Sequence, residues 1–285
     1  MAATTQIALP VRATSPLALW HLLSLDAPTV AALWTWFIAR ASHVSLPPAA
    51  PLAMAIAVWI LYAADRLLDA RRTNAAPDLE ARHLFHHRHR RAFLAGIELA
   101  AVALAALLPR LNPAAIRLYL VEGALLFAWF VVLHATPSAH RLPKEIAVGL
   151  FFSAATFIPT VARAPILRPM LLPSAILFTA LCSLNCLFIY AWEHDDLAVD
   201  AHAAHATNRF ALGHLPALAV VIAIAGASLA LLLPPSPRLV SSACALAALL
   251  LLILDRNRSR LSRTNLRAAA DLALLTPVLL LPFLR

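Results

Sequence analysis

Nine long apolar runs are the feature that most constrains what this chain can fold into. An α-helix needs about 20 apolar residues to cross the hydrocarbon core of a bilayer. The chain is 62% hydrophobic and 13% charged, whereas soluble domains carry about 25% charged residues. This composition excludes an ordinary soluble domain and predicts an all-α, polytopic membrane protein with a single transmembrane domain over residues 1–285. The predicted spans are residues 18–39, 48–69, 92–109, 114–134, 145–163, 170–195, 215–233, 238–254 and 268–284.

The connections between the spans predict the orientation of the chain. Two of them are distinct loops, a basic loop at 70–91 and a second loop at 196–214. Of the 23 Lys and Arg residues, 16 fall on the side of the N-terminus and 7 on the opposite side. Because cytoplasmic loops carry an excess of Lys and Arg, we expect an integral cell-membrane protein with its N-terminus in the cytoplasm and its C-terminus outside. The net charge of +9 is then explained by the basic loops, which lie on one side of the membrane next to its lipid headgroups. No nucleic-acid partner is expected.

Acidic residues cluster at the ends of two spans. Asp65 and Asp69 end the second span, and Glu193, Asp196 and Asp200 end the sixth. Within each Asp pair the residues are one helical turn apart, where like charges repel, and Asp at a helix C-terminus opposes the helix dipole. Both pairs fall on the same predicted side of the membrane, which indicates a divalent-metal site, since Mg²⁺ binds carboxylates together with substrate phosphates. The alternative is a set of solvated helix ends.

The order of the spans and these two motifs carry a family resemblance. With the D-R-x-x-D motif that begins at Asp65 and the D-x-x-x-D motif that begins at Asp196, the chain resembles the UbiA superfamily of intramembrane prenyltransferases. Thr207 and Gly213 fall at the family's offsets downstream of the second motif. The resemblance implies about nine transmembrane helices around a central cavity. It also implies a transferase that moves a prenyl group, with Mg²⁺, from an isoprenyl diphosphate to an aromatic or lipid acceptor within the membrane.

The chain departs from the family pattern at four positions. Leu61 and Tyr62 stand where the family has Asn and its first Asp, and Ala204 and Ala206 stand where it has Gly and Lys. These departures favour an alternative function, a non-catalytic or transport membrane protein of the same scaffold that binds a cation or a lipid phosphate.

The resemblance and the residue chemistry together assign candidate roles. We expect the ends of the second and sixth spans to adjoin and to face one cavity, with the segment 82–91 (RHLFHHRHRR) at its mouth. Alternatives for this segment are an interfacial helix on anionic headgroups and a metal site of imidazoles. The candidate metal ligands, which include the catalytic aspartates, are Asp65, Asp69, Glu193, Asp196 and Asp200. The candidate diphosphate-binding residues are Arg66, Arg72, Arg88, Arg90 and Thr207, and the candidate cavity-lining residues are Tyr62, Asn185 and Trp192.

Four further acids lie inside predicted spans, where an ionisable residue is by default functional. Asp26 precedes Pro28 and is interpreted as satisfying backbone groups that the proline frees. Arg267 lies one turn before Asp271 and is expected to neutralise it. The other two, Glu98 and Glu122, have no partner that the sequence indicates.

Overall fold

The computed structural model describes residues 16–72, 85–86, 88–135, 143–193 and 206–284; the side chains of 69–72, 134, 206–208 and 235–236 are not described. All regular structure in these ranges is helical, without a strand among them, which confirms the all-α class. The α-helices are α1 (Pro16–Leu22), α2 (Asp26–Ala41), α3 (Ala49–Arg72), α4 (Arg90–Leu107), α5 (Pro113–Ala135), α6 (Lys144–Arg163), α7 (Arg168–Glu193), α8 (Ala206–Gly213), α9 (Leu215–Leu232), α10 (Pro235–Arg256) and α11 (Arg263–Ala273), and a 3₁₀ helix follows at Thr276–Phe283.

The number of membrane-spanning helices matches the expectation of about nine. Among the described residues, 8 helices are long and apolar enough to cross a membrane, or up to 9 if the bent pair α1 and α2 forms one span. The last span begins earlier than predicted, because α11 starts at Arg263 and the chain continues as the 3₁₀ helix to Phe283. Part of the loop predicted at 196–214 is helical, since α8 occupies Ala206–Gly213.

The first predicted span is not one continuous helix, and that part of the prediction was wrong. The axes of α1 and α2 meet at 87°, and residues 23–25 connect them. Ser24 in this connection is buried and has a φ of 58°, in the left-handed region that interrupts a right-handed helix. The break therefore sets α1 nearly perpendicular to α2.

Helices α2 and α7 form the centre of the bundle. Helix α2 packs against α3, α6, α10 and α11, and α7 packs against α6, α9, α10 and α11. Their shared core includes Trp34, Phe37, Phe178 and Phe188, which are fully buried. Trp34 also donates a 2.8 Å hydrogen bond from Nε1 to the carbonyl oxygen of Leu274 at the end of α11.

The second and sixth predicted spans, α3 and α7, do not adjoin as expected. Within the described residues, α3 packs on α2, α4 and α6, and no substantial contact joins it directly to α7. Helix α6 packs against both α3 and α7. The central cavity remains a prediction, since the loops expected to border its mouth fall largely outside the described residues.

Candidate functional site

The break between α1 and α2 creates a polar site inside the bundle. A helix break frees backbone carbonyls, which must find donors where no water is present. Arg66 on α3 donates from Nη1 to the carbonyl oxygen of His21 at 2.7 Å, and Trp59 donates from Nε1 to that of Leu23 at 3.1 Å. Arg66 also donates to Ser24 Oγ at 3.0 Å. The break is thus held by side chains from the neighbouring helix.

Asp26, the first residue of α2, is completely buried and fully bonded. Its Oδ1 accepts a 3.0 Å hydrogen bond from the backbone N–H of Ala27, a donor left open by the start of α2 and not by Pro28. Its Oδ2 contacts His21 Nδ1 and lies 3.5 Å from Arg66 Nη2. Asp26 is therefore mainly the acidic partner of a buried imidazole and a buried guanidinium.

Asp271 on α11 faces the same region. It accepts a 3.0 Å hydrogen bond at Oδ1 from Nδ2 of Asn185 on α7. One ligand atom each from His21, Asp26 and Asp271 lie within 4.8 Å of one another. Four helices and the end of α1 thus meet at one group of residues, which we call the polar centre: His21, Ser24, Asp26, Arg66, His86, Asn185 and Asp271.

Arg267 does not pair with Asp271 as expected. Arg267 on α11 donates instead to Oε1 of Glu193 at the end of α7. Both residues of α11 face α7, where Arg267 meets Glu193 at the end of the helix and Asp271 meets Asn185 about two turns earlier. Glu193, a predicted metal ligand, is accordingly half-buried in an ion pair.

His86 connects the basic segment 82–91 to the polar centre. Its ring is completely buried, its Nε2 lies 3.2 Å from Ser24 Oγ, and it stacks on Phe93 with ring centroids 4.2 Å apart. Arg88 and Arg90, which follow it, are exposed. The described part of the segment thus lies beside the polar centre, while residues 82–84 and 87 lie outside the described residues.

The other predicted site residues have different positions. Asp65 is exposed on α3, and Tyr62, one turn earlier, is half-buried with its ring centroid 5.8 Å from the guanidinium carbon of Arg66. Trp192 is buried, stacks on Phe188 and donates a 2.8 Å hydrogen bond from Nε1 to Asp255 Oδ1. The side chains of Asp69, Arg72 and Thr207 and the whole of Asp196 and Asp200 lie outside what the structure describes.

Glu98 and Glu122, the two acids for which the sequence indicated no partner, lie on α4 and α5 and are not part of the polar centre. Glu98 is exposed on α4. Glu122 on α5 is half-buried, and its Oε1 has no hydrogen-bond partner among the described residues.

Sequence reasoning did not find His21 or Ser24, and it identified His86 only as part of the basic segment 82–91. The available signal was weak, because His21 and Asp26 are five residues apart and share no face of a continuous helix. Only the 87° break brings them together. Asp26 and Asp271 were recognised as intramembrane acids, but nothing in their sequence positions indicated that they meet.

The charges of the polar centre favour the uptake of a cation. Two carboxylates and one guanidinium leave one negative charge when the imidazoles are neutral. An unpaired charge away from water is costly, so a proton or a metal ion would be bound favourably between the carboxylates.

The chain matches no protein-family model, no curated protein and no solved structure.

Proposed function

We propose that the protein is a Mg²⁺-dependent prenyltransferase, which transfers a prenyl group from an isoprenyl diphosphate to an aromatic or lipid acceptor within the membrane. The observation that carries the proposal is the chain of contacts from Asn185 through Asp271 and Asp26 to Arg66. These contacts link α3 and α7 through Asp26 and Asp271 at one polar centre. Arg66 lies between the two aspartates of the first motif, and Asn185 lies on the helix that precedes the second motif in the sequence.

Asp65, Asp69, Asp196 and Asp200 would hold Mg²⁺ in this proposal. Of these, Asp65 has a described side chain, and its exposed carboxylate, two turns before the end of α3, would offer hard oxygen ligands. Bound Mg²⁺ would supply the charge that stabilises the diphosphate as a leaving group. The proposed orientation places this end of the bundle at the cytoplasm.

The basic and apolar residues of the chain would then position the substrate. Arg88 and Arg90 are exposed next to His86 and present planar guanidinium groups suited to phosphate oxygens. Arg66 is already bonded to His21, Ser24 and Asp26, so its role is to hold the helix break rather than to bind phosphate. The apolar helix faces would accept the prenyl tail and keep water from the reacting carbon.

A second function, a non-catalytic or transport protein that binds a cation or lipid phosphate on this scaffold, is favoured by two contacts. Glu193 is engaged by Arg267, and Arg66 is engaged by Asp26, so neither side chain is directed at a ligand. Leu61, at the position of the family's Asn, is 53% exposed and apolar. In this function the polar centre binds its cation without a chemical step.

Labelled farnesyl diphosphate tests the two functions. The purified chain in lipid nanodiscs is incubated with the labelled compound and Mg²⁺, with mixed aromatic and lipid acceptors, and binding and pyrophosphate release are measured. For a prenyltransferase we expect Mg²⁺-dependent binding and release, both abolished in Asp65→Asn and retained in Glu98→Gln. The matched control also removes one exposed carboxylate, but on α4. Binding without release favours the second function, and equal effects of the two variants would contradict the metal role of Asp65.

A further inference from the structure

We propose that His21, Asp26 and Asp271 form a binding site for a divalent transition-metal ion such as Zn²⁺ or Mn²⁺, separate from the Asp motifs. One donor atom from each residue lies within 4.8 Å of the other two. An ion bound at about 2.0–2.2 Å, the bond length found for Zn²⁺ with nitrogen and oxygen, would replace the hydrogen bond that now joins His21 Nδ1 to Asp26 Oδ2. His21 and Asp26 are almost completely buried, which excludes the interpretation of a solvated acidic surface.

Asn185 gives independent support for a ligand at this position. Its side chain is 5% exposed, and its Nδ2 donates to Asp271, so the amide points into the group of ligands. Its Oδ1 is buried and has no hydrogen-bond partner among the described residues. Buried polar atoms are almost always satisfied, so an acceptor left open beside two carboxylates indicates a missing cation or a water bound to one.

The types of donor atom distinguish between possible cations. A site that combines one imidazole with carboxylate and amide oxygens suits Zn²⁺ or Mn²⁺, whereas Mg²⁺ prefers oxygen ligands alone and keeps several waters. The two carboxylates offset the charge of one divalent ion, and the guanidinium of Arg66, whose Nη2 lies 3.5 Å from Asp26 Oδ2, leaves the whole group with one positive charge. Arg66 also donates to the carbonyl oxygen of His21 and to Ser24 Oγ.

The contacts around Asp26 hold its carboxylate in a fixed orientation. The Ala27 N–H binds Oδ1, and Arg66 approaches Oδ2. Metal-binding carboxylates in proteins are commonly oriented by such hydrogen bonds. The site joins α1, α2 and α11, with Asn185 from α7, so an ion there would tie the broken first span to the last α-helix.

Metal retention by the purified full-length chain tests this site. The protein in detergent is stripped with a chelator, incubated with Zn²⁺, Mn²⁺ or Mg²⁺, desalted, and analysed for metal per chain. We expect about one Zn²⁺ or Mn²⁺ per wild-type chain and little Mg²⁺. In Asp271→Asn we expect at least a tenfold loss of metal affinity, because loss of even a residue that only orients a metal ligand has an effect of that order.

Two further variants keep the result interpretable if Asp271→Asn folds poorly. His21→Gln removes the imidazole but keeps a hydrogen-bonding side chain, and we expect it to lose selectivity for Zn²⁺ over Mg²⁺. Glu98→Gln removes an exposed carboxylate from α4 and is expected to retain the ion like the wild type. A wild-type chain that retains no transition metal, or equal retention in Asp271→Asn and Glu98→Gln, would overturn the proposal.

Discussion

Arg66 on α3 donates a 2.7 Å hydrogen bond to the backbone carbonyl oxygen of His21, the residue that precedes the end of α1. Arg66 was expected from the sequence to bind a substrate phosphate. It instead hydrogen-bonds to the backbone at the break between α1 and α2. The same guanidinium lies 3.5 Å from the buried carboxylate of Asp26. This relationship makes Arg66 a structural residue of the polar centre, and its contacts lead to the first prediction.

Replacing Arg66 by Met is expected to destabilise the protein strongly. The change leaves the Asp26 carboxylate without its guanidinium and the His21 carbonyl without its donor, both in a buried site. Removing one partner of a buried ion pair costs about 3–5 kcal/mol. Unfolding of the purified protein in detergent, followed by tryptophan fluorescence, measures the loss. Arg117→Met, at an exposed position on α5, is the control, and equal losses in the two variants would contradict the assignment.

Replacing Gly149 by Ala is expected to push α6 and α7 apart. A Cβ at this position would lie 2.6 Å from the backbone nitrogen of Ser183, closer than real Cβ contacts. Overpacking of this kind costs about 1–3 kcal/mol. Because the clash involves backbone, adding Ser183→Ala should not restore the free energy of unfolding.

Gly123→Ala is the matched control for this experiment. Among the described residues, no heavy atom outside the adjoining helix backbone lies within 4 Å of the position that a Cβ would take at Gly123 on α5. Ala is favoured over Gly within a helix by roughly 1 kcal/mol, so we expect unchanged or slightly higher stability. A Gly149→Ala variant as stable as Gly123→Ala would show that α6 and α7 are not packed as closely as described.

Replacing Trp192 by Phe is expected to weaken the contact between α7 and α10. Phe keeps an aromatic ring against Phe188 but loses the 2.8 Å hydrogen bond to Asp255. A hydrogen bond to a charged group contributes about 1.5–3 kcal/mol. A double-mutant cycle with Asp255→Asn measures the coupling in thermal unfolding. Additive effects of the two changes would mean that the indole does not interact with this carboxylate.

Replacing Arg88 and Arg90 together by Gln is expected to lower the affinity for farnesyl diphosphate several-fold. Both side chains are exposed beside His86, whose ring contacts Ser24 of the polar centre. The loss should diminish at high ionic strength, because screening weakens exposed charge interactions. The control removes the same charge from Arg256 and Arg260, which are exposed in another connection. Similar losses in both double variants would indicate a general charge effect, and the segment would then be assigned to lipid headgroups.

Much of the fold was predictable because it depends on local composition. A run of about 20 apolar residues fits a bilayer whatever its neighbours are. The break at Ser24 was not predictable in this way, since Leu22, Leu23 and Leu25 are as apolar as the rest of the span. A left-handed residue is stabilised there by contacts from Arg66 and His86, which are far away in sequence.

The sequence by itself determined the all-α class, the approximate number and positions of the spans, and the fact that several acids lie within them. Hydrophobic length and charge are properties of each segment alone, so they need no knowledge of its neighbours. Only the tertiary structure decided which acids meet. Asp26 and Asp271 come together because the helix break and the packing of α11 on α2 bring distant segments together, and Arg267 turns to Glu193 because α7 is the neighbour that it faces. Pairing between helices depends on their rotation and contacts, and neither is encoded in the hydrophobicity of a single segment.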